Sequence, residues 1–202
     1  MKKESTEHRL ERIRNAAIRL VSQRNINTIS IYDVAKEAAI AASTVYHHYP
    51  NIEALVCELM KDVFEDFSEV LNSAIIAENI HHWSDINRMV EQGFVDYYRR
   101  TPLAQHTLLG QHTYASVRHA DAQNDLLLGK KVEEIYRQYF SLPELPKDVN
   151  IFSVALQVAD KVYSMNYQEN GEIASEMARE AIVITEAYIG SYLPRHLTRL
   201  SL

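Results

Sequence analysis

The segment ASTVYHHYPN, residues 42–51, gathers two hydroxyls, two tyrosines and two adjacent histidines, and a proline closes it. Serine, threonine and histidine side chains can bond to phosphates and to base edges, and small residues at a helix start let the chain come close to an anion. Drawn as a helix, Val45 and Tyr49 point one way, toward Ile40. Ser43, Thr44 and His47 point the other way, with Tyr46 and His48 on the flanks. One face is therefore core and the other is polar but uncharged. A two-turn helix cannot hold itself together in water, so neighbours must pin it and leave its outer face to something else. A metal at the histidines is not expected: neighbours on a helix point about 100° apart, and no cysteine or carboxylate stands at ligand spacing.

The elements that would do the pinning precede it. Across residues 7–22, Leu10, Ile13, Ala17, Leu20 and Val21 make the stripe of an amphipathic helix, with Arg12 and Arg19 together on another flank. Ser30 is a plausible N-cap for a second helix, residues 31–38, whose inner face is Ile31, Val34, Ala35 and Ala38. Residues 38–41 leave room only for a tight connection. The layout is that of a helix-turn-helix whose second helix, residues 42–49, is the reader.

Composition supports an all-α chain. Five glycines and five prolines interrupt 202 residues, too few for the turn-punctuated strands of sandwiches and barrels. No apolar run is long enough to span a bilayer and the charged start lacks a signal-peptide core, so a cytoplasmic protein is expected, with no membrane partner. The single cysteine, Cys57, fits a reducing compartment and is expected to pack rather than react. Net charge is −6, but residues 1–50 carry eight Lys and Arg against five Asp and Glu, while residues 51–202 carry thirteen against twenty-two. A basic end on an acidic body suggests that one end meets a polyanion.

Residues 12–55, about a fifth of the chain, resemble the N-terminal region of the TetR family of transcriptional regulators. The resemblance is carried by RIRNAAIRLV, by SI at Ser30 and Ile31, by DVA at 33–35, and above all by STVYHHYPNIEAL. It implies that Tyr46 and His48 contact the DNA backbone and that Ala42, Ser43, Thr44 and His47 lie in or near the groove; Ser30, Tyr32 and Asn51 complete the expected DNA-binding set. Three departures matter. Ala39 stands where the family usually has glycine, which costs on the order of 1 kcal/mol if the turn needs positive φ. Ile52 stands where lysine is usual at the start of the fourth helix, removing a phosphate contact that Asn51 or Lys61 would have to replace. Ala42 cannot make a bidentate base contact, which leaves reading to its neighbours or to DNA shape.

The expected domains are a three-helix helix-turn-helix, residues 1–51, and a helical ligand-binding and dimerisation bundle, residues 52–202. In the bundle, helices are expected over 52–78 and 83–100, with a less regular middle bracketed by Pro102, Gly110 and Gly129 and helical pattern resuming through LLLGKKVEEIYRQYF, residues 126–140. Two last helices follow, near 149–169 and 173–193. Their stripes, Ile151, Val154, Ala155, Val158, Ala159, Val162 and Met165, then Ala174, Ala178, Ala181, Ile182, Thr185, Ile189 and Tyr192, are expected to pair with a second copy, as the resemblance implies. A homodimer would read a palindromic double-stranded operator. The expected pocket for a small-molecule effector is lined by Trp83, Met89, Phe94, Tyr97, His106, Leu109, His112, Tyr114 and Tyr136. Nothing matches a phosphate loop, a nucleophile elbow or a metal cluster, and the acidic residues are placed mostly on outer faces. No enzyme and no cofactor are expected. The competing expectation is a helical small-molecule-binding protein that has lost specific DNA binding.

Overall fold

The computed structural model describes residues 5–111 and 114–200 of the chain. Ser5 caps the first helix, α1 (Thr6–Val21), by accepting from the His8 amide. Ser30 caps α2 (Ile31–Glu37), and Asp33 returns a bond to the Ser30 amide at 2.8 Å, completing a capping box. The reader helix α3 (Ala42–His48) follows; its N-cap, Ala41, offers no side-chain bond. Val45 is the buried residue of α3, so packing on α2 holds this short helix in place of capping.

Between α2 and α3 the chain turns through Ala39, whose φ is +52°. The Ile40 amide donates to the Ala35 carbonyl and the Ala39 amide to the Lys36 carbonyl, the paired bonds of a Schellman stop. Arg12 of α1 reaches across and donates to the carbonyls of Ala38 at 2.6 Å and Ala39 at 3.0 Å. Alanine in a left-handed conformation costs about 1–2 kcal/mol. Here the surrounding bonds over-determine the turn, so the strain is held without shifting it.

Asn51 caps α4 (Ile52–Ala74), which runs unbroken from the N-terminal helices into the body. Leu55 and Leu59 are fully buried near its start, and Phe67 and Leu71 are buried near its end. The helix stops at Ala74 rather than near residue 78, because Ile75 turns extended and the Ile76 amide donates to Met89 Sδ. Next comes α5 (Trp83–Arg100), capped by His82 and Asp85. Gly93 lets it lie close against the end of α4: a Cβ there would stand 2.9 Å from the Ala74 side chain.

A short turn, α6 (Pro102–Ala104), continues as a π-helical turn, Gln105–Leu109. Then α7 (Ala115–Tyr139) is one long helix, which includes the expected run from 126 and extends it back to Ala115 through what was expected to be irregular. Gly129 does not break it; a Cβ at that position would come within 2.5 Å of the Ser153 amide, so the glycine serves close packing of α7 on α8 (Ile151–Asn170). The left-handed Gly171 ends α8, and α9 (Ser175–Ile189) follows, shorter at both ends than its sequence pattern suggests. A hydrogen-bonded turn through Leu193 follows α9, and a tail begins at Pro194. The tail's Arg195 carbonyl lies 2.5 Å from His82 Nε2, and Trp83 Nε1 donates to the Pro194 carbonyl. In the body α8 packs between α7 and α9, and α4 lies against α5 and α7. No helix among the described residues is long and apolar enough to cross a membrane.

Candidate functional site

Two places gather chemistry, one on the surface and one inside. On the surface, Tyr46 is 43% exposed and Tyr32, on the neighbouring α2, is 66% exposed; their rings meet edge to face at 5.9 Å. His47 and His48 rings lie 5.2 Å apart. Ser43 and His47 are exposed, whereas Ala42, Thr44 and His48 are half-buried. The outer face of α3 thus carries hydroxyls, rings and imidazoles with no carboxylate of its own, as its sequence suggests.

Ser30 and Asn51 sit beside this face, but their side chains already hold helix starts. Ser30 Oγ accepts from the Asp33 amide and donates to the Asp33 carboxylate at 2.6 Å, and Asn51 Oδ1 accepts from the Ala54 amide at 2.8 Å. These bonds from Ser30, side chain first, hold the Asp33 carboxyl below its ordinary range. The amide nitrogen of Asn51 remains as a donor. Ile52 is half-buried against the core, and Lys61 is held by Glu58 at 2.7 Å.

Four arginines at this end are engaged by groups of the same chain. Arg12 holds the turn, Arg14 pairs with Glu58 and Asp62, Arg19 bonds Glu37 at 2.8 Å, and Arg24 lies 3.5 Å from Asp33. A count of charges from the sequence could not separate cations that face outward from those that brace the domain.

Inside, a cavity opens between α4, α5, α7 and α8. Phe67, Phe94, Tyr98 and Tyr163 supply its rings, and Glu91, Asp125 and Asp160 supply carboxyls from three different helices. Its free space is about 10 Å³, roughly room for one water. Phe67 packs edge-on against Phe94 at 5.4 Å and Tyr98 at 5.5 Å. The Tyr163 hydroxyl donates to Glu91 at 2.6 Å and the Tyr98 hydroxyl to Asp160 at 3.1 Å. Burial pushes the Glu91 carboxyl up to about 7, with the Tyr163 bond pulling the other way. Asp125, 6% exposed, and Asp160 are both raised well above the carboxylate range, first by loss of solvent and then by the neighbouring acids, Asp121 among them.

These acids are exceptions to the expectation that carboxylates lie mostly on outer faces. The signal was available in the register: Glu91 lies on one helical face with Asn87, Phe94 and Tyr98, and Asp160 with Leu156 and Tyr163. Of the pocket residues expected from sequence, Phe94 lines this cavity, and Tyr97 lies buried beside it with its ring 5.0 Å from Phe67 and its hydroxyl on Asp66. Trp83 is at the far end of α5 against the tail, Met89 meets the end of α4, and Tyr136 stacks on Phe152 at 4.6 Å. His106 faces Tyr167 in a separate groove, Leu109 is buried with its carbonyl bonded by Ser164 and Gln168, and half-buried Tyr114 starts α7. His112 lies outside the described residues.

The stripes expected to meet a second copy are partly used inside the chain. Ile151, Ala155, Ala159 and Val162 of α8, and Ala178, Ala181, Thr185 and Ile189 of α9, are buried within the chain itself. Met165 and Tyr192 of those stripes do face out, with Val183 and Ile184 beside them on α9, while Val154, Val158, Ala174 and Ile182 are half-buried. Two adjoining helical stripes cannot be told apart by periodicity when both are apolar.

Residues 13–59 match the family described as bacterial regulatory proteins, tetR family. Over 185 residues, 89% of this chain and 88% of the relative, the sequence is 23% identical to the HTH-type transcriptional regulator BetI of Brucella melitensis. A TetR-family transcriptional regulator from Streptomyces coelicolor superposes with a TM-score of 0.67 at 19% identity, over 92% of this chain and 99% of that one. The fatty acid degradation regulator FadR from Bacillus halodurans superposes with a TM-score of 0.67 at 15% identity, over 96% and 100%.

Proposed function

Because this chain belongs to the TetR family of transcriptional regulators, we propose that it binds a palindromic DNA operator as a homodimer and acts as a repressor released by a small hydrophobic or aromatic effector. The observation that carries the reading is the outer face of α3, where Tyr46 and His47 are exposed beside Tyr32 on a helix anchored through Val45. In this reading Ala42, Ser43, Thr44 and His47 lie at the groove, and Tyr32, Tyr46 and His48 lie at the backbone. Ser30 and Asn51 position the two helix starts, and the Asn51 side-chain nitrogen is left to donate to a phosphate.

The division of labour follows the expected one, residues 1–51 for DNA and 52–202 for effector and partner, with α4 shared between them. Leu55 of α4 packs among the N-terminal helices and Phe67 lines the cavity, about 18 Å further along one rigid helix. At its first turn, Glu53 accepts a bond from Ser116 at the start of α7. An effector that parts α7 from α4 would therefore act on the seating of the reader helices, and it shifts DNA affinity by its differential binding to the two arrangements. Exposed Met165, Val183 and Ile184 support association of two copies through α8 and α9.

Loss of DNA binding is not favoured by Ala39, since the turn is closed with its Schellman bonds and the Arg12 clamp. Selection of random duplexes with purified protein, repeated with Tyr46→Ala at two salt concentrations, tests the reading. A palindromic consensus that disappears in the variant supports it. No enrichment at low salt would overturn it.

A further inference from the structure

Resting on the proposal that the body binds an effector, we propose that the interior cavity takes an organic cation: an amine or quaternary ammonium group, seated among Glu91, Asp125 and Asp160, on a compact apolar or aromatic body held by Phe67, Phe94, Tyr98 and Tyr163. Three carboxyls converge from α5, α7 and α8, and no basic side chain lines the space with them. Glu91 and Asp160 each accept one tyrosine hydroxyl. Asp125 lines the cavity at 6% exposure, and among the described residues it has no hydrogen-bond or ion-pair partner.

A neutral hydrophobic effector would make no use of this arrangement. Buried carboxyls without cations are more costly than apolar residues of the same volume, so a pocket for a neutral ligand would gain stability by losing them. A positive charge brought by the ligand compensates the acids, and the faces of the surrounding rings attract the same charge. A metal ion is a poor occupant, because no group of three His, Cys, Asp or Glu among the described residues could hold one. The aromatic walls favour a cation that carries its charge on alkyl or aryl groups over a hydrated one.

The free space is small, so the ligand must displace side chains or part α7 from α8 as it enters. The titratable groups facing the cluster are Glu91 and Tyr98 from α5, Asp121 and Asp125 from α7, and Asp160 and Tyr163 from α8. Tyr136 also feels Glu91, and Arg99 acts on Tyr163. The packed face of α4 brings Phe67, which is uncharged. Protons and cationic ligands should therefore compete, and binding should weaken as pH is lowered.

The test is calorimetric titration of the full-length protein with phenyltrimethylammonium and with tert-butylbenzene, its neutral isostere, followed by the same titrations on Asp125→Asn and Glu91→Gln. The expected result is saturable binding of the cation, at least ten-fold weaker binding of the isostere, and a loss of about ten-fold or more for the cation in either variant that melts cooperatively. Equal binding of the two probes, no binding of the cation, or unchanged affinity in both folded variants would overturn the assignment. Release of bound operator duplex is scored separately. If the cation binds with the expected variant losses and releases no DNA, the cation site stands and the effector reading fails. If tert-butylbenzene releases DNA while the cation does not bind, the effector reading stands and the cation assignment fails.

Discussion

Helix α3 buries one of its seven residues, Val45, while α5 buries ten of its eighteen, Glu91 among them. Both helices carry polar chemistry, and the difference lies in what holds each in place. Helix α3 keeps its hydroxyls and imidazoles in water and depends on a single apolar anchor and its neighbours for position. Helix α5 is held by packing along most of its length, and its acid is kept neutral or paired because solvent is excluded. A surface reader can be lost by unseating the helix beneath it; an interior acid is felt instead as a dependence of the whole fold on protons.

The largest effect should come from Val45→Asp. Burying an unpaired carboxylate where a fully buried valine stood costs several kcal/mol, more than a seven-residue helix can supply. DNA binding should be lost, with thermal melts retaining a cooperative transition from the body and near-normal helical content. If the variant binds DNA as well as the parent, α3 is not held by this anchor and the contrast with α5 fails.

The second effect concerns the interior. The Glu91 pKa is raised in the fold from 4.5 to about 7, so the folded chain holds this proton more tightly than the unfolded one. The associated stability is complete below the ordinary carboxylate pKa and is lost as pH rises through about 7. Melting temperature should therefore fall between about pH 5 and pH 8, and Glu91→Gln should flatten that slope relative to the parent. An identical slope in the two proteins would place the proton linkage elsewhere.

The smallest effect is Ala39→Gly. Relief of the left-handed alanine should stabilise the protein by about 1 kcal/mol, offset in part by the greater freedom of glycine when unfolded. Denaturant midpoints measure it, and DNA affinity should stay within about two-fold, since Ala39 makes its contacts inward through Arg12. Destabilisation would mean that the Schellman bonds and the arginine clamp already remove the strain.

How much of this was legible depended on the range of the interactions. The Ser30 cap, the turn after α2 and the extent of α3 are written in neighbours a few residues apart, and the positive φ at Ala39 was anticipated from a missing glycine. The first half of α7 was not, and why a glycine sits at 129 within that helix is seen only once Ser153 lies against it. The cavity acids were missed although Glu91 and Asp160 share faces with buried residues on their own helices, because each helix shows one acid at a time and only their convergence makes them a site.

By itself the sequence determined that the chain is all-helical, that its N-terminal helices make a helix-turn-helix, and which side chains α3 turns outward, since periodicity, caps and turn chemistry act over one or two turns of chain. Tertiary structure alone decided that most of the N-terminal arginines are paired within the chain, which residues of the α8 and α9 stripes are core, and that carboxyls from three helices share one cavity. Those outcomes depend on which surfaces meet across long separations in sequence, and burial, the quantity that sets the behaviour of a charge, does not exist until they have met.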